Sequence, residues 1–163
     1  MSENSENSES SENRKNGGSS KNSERSVVVR RTATGRFTAT NPRGGTIDFT
    51  VPGDAPTTGF SPVELLLAAI GGCTAADVDA ATSRHIEPSE FTVTVSGDKI
   101  SDELGNRMTG LKVAFTVTFL DGDGADRARA VLPRAVRTSH ERLCTVSRTV
   151  ELGTPVTTTV NEP

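Results

Sequence analysis

The segment "SPVELLLAAIGGCTAADV", residues 61–78, constrains the fold more than any other part of this chain. Ser61, Pro62 and Glu64 match an N-cap, a proline at the first helical position and a capping-box glutamate, which predicts a helix starting here. The first half of the segment has no polar face, so protein must surround this helix. A chain of 163 residues suits one domain, which favours covering the helix with sheet and with a second chain.

Period-two alternation of β-branched and aromatic residues predicts strands on both sides of this helix. The helix itself is predicted to end near Arg84–His85, ahead of Pro88. The connection at 101–107 is predicted to join two strands as a hairpin. The predicted strands are residues 26–40 (two strands around Gly35), 44–52, 90–100, 108–120 and 154–160.

A second helical region follows the hairpin. Pro133 is predicted to kink or break this helix, and a short helix is predicted after Cys144. The resulting order, βββ-α-ββ-α-α-β, is that of an α+β domain. The apolar stripe of the second helical region consists of Ala125, Ala128, Val131, Leu132, Ala135 and Val136.

Composition excludes several functional classes. Residues 1–25 are rich in Ser, Asn and Glu and have no apolar core of a secretory signal, so we expect a disordered polar tail before a domain at 26–163. The net charge of -3 is spread along the chain, and without a basic stripe, Trp or Tyr we expect no nucleic-acid partner. The longest apolar run, 65–70, is too short to span a membrane, and we expect a cytoplasmic protein.

The chain contains two cysteines, Cys73 and Cys144. A structural disulfide would be unusual in a reducing cytoplasm, so the residues alone fit either small buried hydrophobes or reactive thiols. Together with His85 and His140 they make a Cys2His2 set, but no two of them have a short chelating spacing. We therefore predict neither a metal site nor a resident cofactor.

Several polar or small residues near the cysteines have alternative explanations. Asp77 lies one helical turn after Cys73 and is interpreted as a polar break in the helix or a contact to a partner chain. Gly71 and Gly72 are expected to allow close helix packing at a dimer axis. His140 and Glu141 fit the polar end of a helix or hydrogen bonds near Cys144. "GDGAD" at 122–126 is predicted to be a turn and helix cap, since it lacks the ligands of a calcium loop.

The first segment, together with "SHERLCTVSRTV" at 139–150, resembles the OsmC/Ohr family of osmotically inducible protein C and organic hydroperoxide resistance proteins. The resemblance covers essentially the whole chain after the tail. It implies an OsmC-like fold, in which an intertwined homodimer has two central helices covered by antiparallel sheets with strands from both chains.

The resemblance also implies an activity. Family peroxidases reduce organic hydroperoxides with two cysteines that then form a disulfide, and an external thiol, often a dihydrolipoyl group, reduces this disulfide. By position, Cys73 matches the attacking cysteine and Cys144 the resolving cysteine. This chemistry needs a thiolate at the first position and a second thiol close enough to condense with the sulfenic acid. The prediction is a thiol-dependent peroxidase of oxidative stress defence.

The family pattern is incomplete at the start of the helix. Family peroxidases commonly begin it Asn-Pro-Glu and join that glutamate to an arginine, whereas Val63 follows Pro62 here and the glutamate is Glu64. The capping box alone also explains Glu64. Arg36 matches the expected arginine, with Arg43 as a competitor and a solvated surface position as the alternative. This pattern is closer to the OsmC-like branch and favours a second hypothesis, a small-molecule binding or redox-sensing protein without efficient peroxidase turnover.

Overall fold

The computed structural model describes residues 23–51 and 58–162 of the chain. Most of the predicted polar tail, and part of the loop before the first helix, lie outside these ranges, and Ser23–Arg25 are exposed. Within them the protein has an α+β fold with two antiparallel sheets, as predicted. In chain order the elements are β1 (Val28–Ala33), β2 (Arg36–Thr40), β3 (Thr46–Thr50), α1 (Pro62–Thr82), β4 (Glu90–Asp102), β5 (Gly105–Thr118), α2 (Ala125–Thr138), a π-helix (Ser139–Leu143) and α3 (Thr145–Glu151).

The N-terminal sheet has the order β1-β2-β3. Gly35 makes the predicted turn between β1 and β2 with a φ of 67°, which glycine adopts without a Cβ clash. Phe37 and Phe49 stack at 5.6 Å between ring centroids, and Phe49 forms a bridge with Phe60 just before α1. The three strands contact mainly each other, and β1 is exposed along its whole length, so one chain gives this sheet little core.

The second sheet is the β4–β5 hairpin. The predicted hairpin is confirmed, but its connection is shorter than 101–107, because Asp102 pairs with Gly105 and only two residues form the turn. The φ of 96° at Gly105 explains how so tight a turn is possible. One face of the hairpin is apolar along its length and consists of Phe91, Val93, Val95, Leu111, Val113, Phe115 and Val117.

Helix α1 begins with the predicted capping box. The Ser61 N–H donates to Glu64 Oε2 at 2.7 Å, and the Glu64 N–H donates to Ser61 Oγ at 3.3 Å. Gly71 packs inside the chain rather than at a dimer axis, since a Cβ there would lie 3.0 Å from Val95 Cγ2 on β4. At Gly72 a Cβ would meet none of the described residues within 4 Å, so only this glycine is free to face another chain.

Much of α1 remains uncovered in one chain. It packs on β4, α2 and α3, yet only 28% of its most apolar 18-residue window is buried. That window has a mean hydropathy of 1.3, so α1 is apolar enough to cross a membrane by length and composition alone, as are the core helices of many globular proteins. The predicted helix without a polar face is therefore present, but β4, α2 and α3 of the same chain bury only part of its apolar surface.

Helix α2 closes the core behind α1. Ala125 and Ala128 of the predicted stripe are buried against Phe119. Helix α2 continues through Pro133 to Thr138, so a break there was wrong, while a kink at Pro133 stays a prediction. The predicted turn and cap at 122–126 is confirmed, with Gly124 as the N-cap of α2.

The predicted final strand at 154–160 was wrong for a single chain. In the described part of the chain this segment pairs with no strand, and Val156 and Val160 are 88% and 94% exposed. A strand needs a neighbouring strand to bond its backbone N–H and C=O groups. Among the described residues of its own chain, the segment has no such neighbour.

Candidate functional site

The two cysteines are brought together by the packing of α1 against the C-terminal helices. Cys73 lies on α1 and is half-buried, while Cys144 lies between the π-helix and α3 and is fully buried. The two thiols are close enough to interact, and both are free. The sulfur of Cys73 also faces the backbone N–H groups of Val146 and Thr145 in α3. The fold thus forms a potential redox pair from residues distant in sequence.

A bond between α1 and the π-helix supports this arrangement. Ser139 donates from its hydroxyl to Asp77 Oδ2 at 2.8 Å, and Ser139 is fully buried. Asp77 lies one turn after Cys73, so the bond fixes the π-helix beside the helix that carries the first thiol. The interpretation of Asp77 as a polar break or partner contact was incomplete, because its carboxylate has a partner inside the chain.

Ser147 holds the second thiol from two sides. The thiol of Cys144 donates to Ser147 Oγ at 3.1 Å, and the Ser147 N–H donates to Cys144 Sγ at 3.4 Å. Cys144 is the N-cap of α3, and its sulfur accepts the backbone N–H bond that a Ser or Asp oxygen usually accepts at this position. The signal for this contact was present in the sequence as a serine three residues after a cysteine that precedes a short helix.

The surroundings of the two thiols affect their ionisation in opposite directions. Burial raises the pKa of Cys73, and the neighbouring Cys144 adds to this, against a lowering by the Val146 N–H. Burial also disfavours the Cys144 thiolate, but the hydrogen bonds with the Ser147 hydroxyl and N–H, together with those of Cys73 and the Val146 N–H, outweigh it and lower the pKa of Cys144. In a single chain the more readily ionised thiol is therefore Cys144.

The structure does not bring the other two predicted site residues to this pair. Glu64 is exposed at the start of α1, and its bonds to Ser61 lower its pKa. Arg36 is exposed on β2 opposite Thr50, where its side chain contacts no acidic group of the described residues. Arg43 also lies in the N-terminal sheet region, in the turn before β3.

Comparison with known proteins identifies the family. Residues 53–159 match the family model described as OsmC-like protein. The chain belongs to the OsmC-like family. No curated protein sequence matches it.

Solved structures show the same fold for this OsmC-like protein. A hypothetical protein from Aquifex aeolicus has a TM-score of 0.63 at 21% identity, covering 81% of this chain and 90% of that one. An OsmC-like protein from Mycoplasma pneumoniae also has a TM-score of 0.63, at 11% identity, covering 79% and 88%. The organic hydroperoxide resistance protein OhrB of Bacillus subtilis has a TM-score of 0.52 at 22% identity, covering 78% and 90%. At these identities the likeness establishes the fold.

A cavity of about 350 Å³ lies beside the thiol pair of this OsmC-like protein. Ile70 and Thr74, which flank Cys73 on α1, line one side of the cavity. Ser147, which bonds to Cys144, lines another side. His140 is exposed at the cavity and its Nδ1 lies 3.2 Å from Glu151 Oε1. The remaining lining residues are apolar: Leu111, Val113, Phe115, Val136 and Val150.

No metal centre accompanies the thiols in the residues that the structure describes, where no three His, Cys, Asp or Glu side chains cluster. Two adjacent thiols can donate two electrons by forming one disulfide.

Proposed function

We propose that this protein is a thiol-dependent peroxidase that reduces organic hydroperoxides through Cys73 and Cys144. The observation that carries the proposal is the contact of the chain's two cysteines across the fold. Membership in the OsmC-like family and the likeness to an organic hydroperoxide resistance protein support a peroxide-related redox role. The apolar cavity beside the pair suits the organic part of such a substrate.

The proposed cycle balances with two thiols and one hydroperoxide. The thiolate of Cys73 attacks the terminal peroxide oxygen, the O–O bond breaks, and the alkoxide leaves and takes a proton to become the alcohol. Cys73 becomes a sulfenic acid, and Cys144 displaces its oxygen as water while the disulfide forms. An external dithiol, with a dihydrolipoyl group as the natural candidate, then exchanges with the disulfide and restores both thiols.

The attacking thiolate needs help that a single chain does not supply. The pKa of Cys73 is raised by burial, and no basic side chain offsets this in the described residues. We propose that Arg36, or Arg43 in its place, reaches Cys73 from a second chain, with Glu64 available at the same helix to orient it. A guanidinium near the sulfur would lower the pKa of Cys73.

The same argument supports a homodimer. In the part of the chain that the structure describes, helix α1 is largely uncovered, the β1–β3 sheet has little core, and the segment at 154–160 has no strand neighbour. A second copy would cover all three. We place this dimer in the cytoplasm, where small-molecule thiols and dithiol proteins keep cysteines reduced.

One observation favours a second candidate function, a small-molecule binding or redox-sensing protein. With its raised pKa, Cys73 would react slowly with peroxide, while the cavity would still bind an apolar ligand. Such a protein would keep its ligand binding after both cysteines were replaced.

Single cysteine variants test the peroxidase. Wild-type protein should consume cumene hydroperoxide over many turnovers with dihydrolipoamide as reductant, and Cys73→Ser should abolish consumption. Cys144→Ser should form the Cys73 sulfenic acid with a first equivalent of hydroperoxide and the sulfinic acid with a second, visible as added mass, because the chain then has no second thiol to resolve the sulfenic acid. If the wild type shows no turnover with several alkyl hydroperoxides, the binding or sensing function replaces the peroxidase.

A further inference from the structure

Ser147 contacts the two-cysteine site directly, although the sequence motifs did not single it out. Its hydroxyl and its backbone N–H both bond to one sulfur atom, at 3.1 Å and 3.4 Å. It also lines the cavity beside Cys73. Ser147 can therefore influence both the reactivity of the Cys144 sulfur and its access from the cavity.

We propose that Ser147 is a positioning residue that holds Cys144 Sγ toward Cys73 and stabilises it as the thiolate that resolves the sulfenic acid. The proposal deepens the two-cysteine cycle and rests on that proposed function for its role in turnover. The hydrogen-bond geometry at Cys144 is independent of it.

The hydroxyl of Ser147 suits both protonation states of Cys144. While the thiol keeps its proton, the S–H donates to Ser147 Oγ, as the structure shows. After ionisation the hydroxyl rotates and donates to the sulfur, joining the N–H that already does so. Cys144 is fully buried, so water cannot replace these donors. Losing the hydroxyl would destabilise the thiolate more than the thiol.

The step that Ser147 assists is the formation of the disulfide. The Cys144 thiolate attacks the sulfur of the Cys73 sulfenic acid, the new S–S bond forms, and the S–O bond breaks. The leaving hydroxide takes a proton and becomes water, and the oxidising equivalents come from the organic hydroperoxide. A protonated Cys144 would attack slowly, and the waiting sulfenic acid would be exposed to a second hydroperoxide.

The structure also explains the direction of the pKa shift at Cys144. Burial acts against ionisation, and the hydrogen bonds at the Cys144 sulfur, those of Ser147 first and then those of Cys73 and the Val146 N–H, together offset it. The Ser147→Ala change removes only the hydroxyl and leaves the backbone N–H in place. The pH midpoint of Cys144 thiolate formation should therefore rise, while the Ser147 N–H still donates to the sulfur.

The test is a thiolate titration in a Cys73→Ala background, where Cys144 is the only sulfur nucleophile. Thiolates absorb near 240 nm, and a chain without Tyr or Trp has no phenolate or indole to obscure the change. The blank is the variant with both cysteines replaced by Ala. Ser147→Ala should raise the midpoint by about one pH unit or more, which is a roughly tenfold loss of thiolate below the midpoint.

Ser147→Thr and Ser147→Val provide a matched pair, since they have nearly the same shape and differ in the hydroxyl. The Thr variant should retain the low midpoint and the Val variant should show the raised one, with folding of each confirmed by circular dichroism. This pair decides the question even if Ser147→Ala is unstable. Equal midpoints in the Thr and Val variants would overturn the proposal.

A second readout places Ser147 in the cycle. With both cysteines present, stepwise addition of cumene hydroperoxide should give mainly the disulfide in wild type and in Ser147→Thr. It should give several-fold more Cys73 sulfinic acid in Ser147→Ala and Ser147→Val, measured by intact mass. If no variant is oxidised at all, the peroxidase function fails, whereas the peroxide-free titration still decides the role of Ser147.

Discussion

At the scale of single residues, Glu64 shows how a predicted site residue can have a structural role. Its carboxylate accepts the Ser61 N–H at 2.7 Å, and the bonds to the Ser61 backbone and hydroxyl lower its pKa from an ordinary value of 4.5. Because the folded-state pKa is lowered, the stabilisation is fully present above the unfolded-state pKa. It is lost as pH falls through the folded-state pKa.

The capping role of Glu64 predicts a pH-dependent difference between variants. Glu64→Gln should be less stable than wild type at pH 7, and this difference should shrink as the pH falls through the lowered folded-state pKa of Glu64, because the wild-type carboxylate then becomes protonated. The measurement is urea denaturation followed by circular dichroism at a fixed protein concentration. Glu103→Gln in the β4–β5 turn is the control. A difference that is constant with pH would contradict the capping role.

The cysteines make a related point about residues and their neighbours. Cys144 is the more buried of the two thiols, yet it has the lowered pKa, because Ser147 donates to its sulfur. Cys73 is more accessible but lacks a comparable donor set, so burial raises its pKa. The balance between burial and hydrogen bonds at each sulfur gives the two thiols opposite pKa shifts in one chain.

At the scale of elements, the Asp77–Ser139 bond joins α1 to the π-helix that leads into Cys144. Short π-helices are often found at functional sites, where they change the direction of the following residues. Here the π-helix ends at Leu143, directly before Cys144, so its geometry determines the position of the second thiol. The bond to Asp77 makes that geometry depend on the helix that carries the first thiol.

A double-mutant cycle measures this connection. Asp77→Asn and Ser139→Ala should each destabilise the protein, and the double variant should cost less than their sum, with a coupling of about 1 kcal/mol. Ser83→Ala, which removes a bond to Asp79 on the same helix, is the control and should be additive with Ser139→Ala. Additivity of the Asp77 and Ser139 changes would show that the bond contributes nothing.

At the scale of the whole molecule, several apolar side chains in the described part of one chain are exposed to solvent. Phe60 is 52% exposed, and Val156 and Val160 in the C-terminal segment are almost fully exposed. Large exposed apolar areas usually mark association surfaces. The proposed homodimer would bury them and would give the segment at 154–160 a sheet edge to pair with.

Removing the C-terminal segment tests this assembly. Ending the chain at Gly153 should weaken dimerisation at least tenfold if the segment pairs with a partner's sheet, because its backbone bonds and two valines are lost. Light scattering after size-exclusion chromatography, over a range of concentrations, measures the change. The control is removal of residues 1–22, which should leave the dimer intact. A full-length monomer, or a truncated chain that dimerises normally, would refute the proposal.

Local patterns made much of the fold predictable. The capping box at Ser61, the turn at Gly35 and the alternation in β4 and β5 all appear in the structure as predicted. Each depends on residues close in sequence, where backbone preference and side-chain period decide the outcome. The errors came where the surroundings decide, as with the segment at 154–160, which has no strand partner among the described residues.

The sequence by itself determined a central apolar helix, an α+β element order and two cysteines in family motifs. Only the tertiary structure decided that Cys73 and Cys144 lie together, that Ser147 lowers the pKa of Cys144, and that Ser139 binds Asp77. The physical reason is that these contacts join separate elements, and their distances follow from how whole helices pack. Hydrophobic periodicity specifies which face of a helix is buried, but the residues that meet across it depend on the packing of its neighbours.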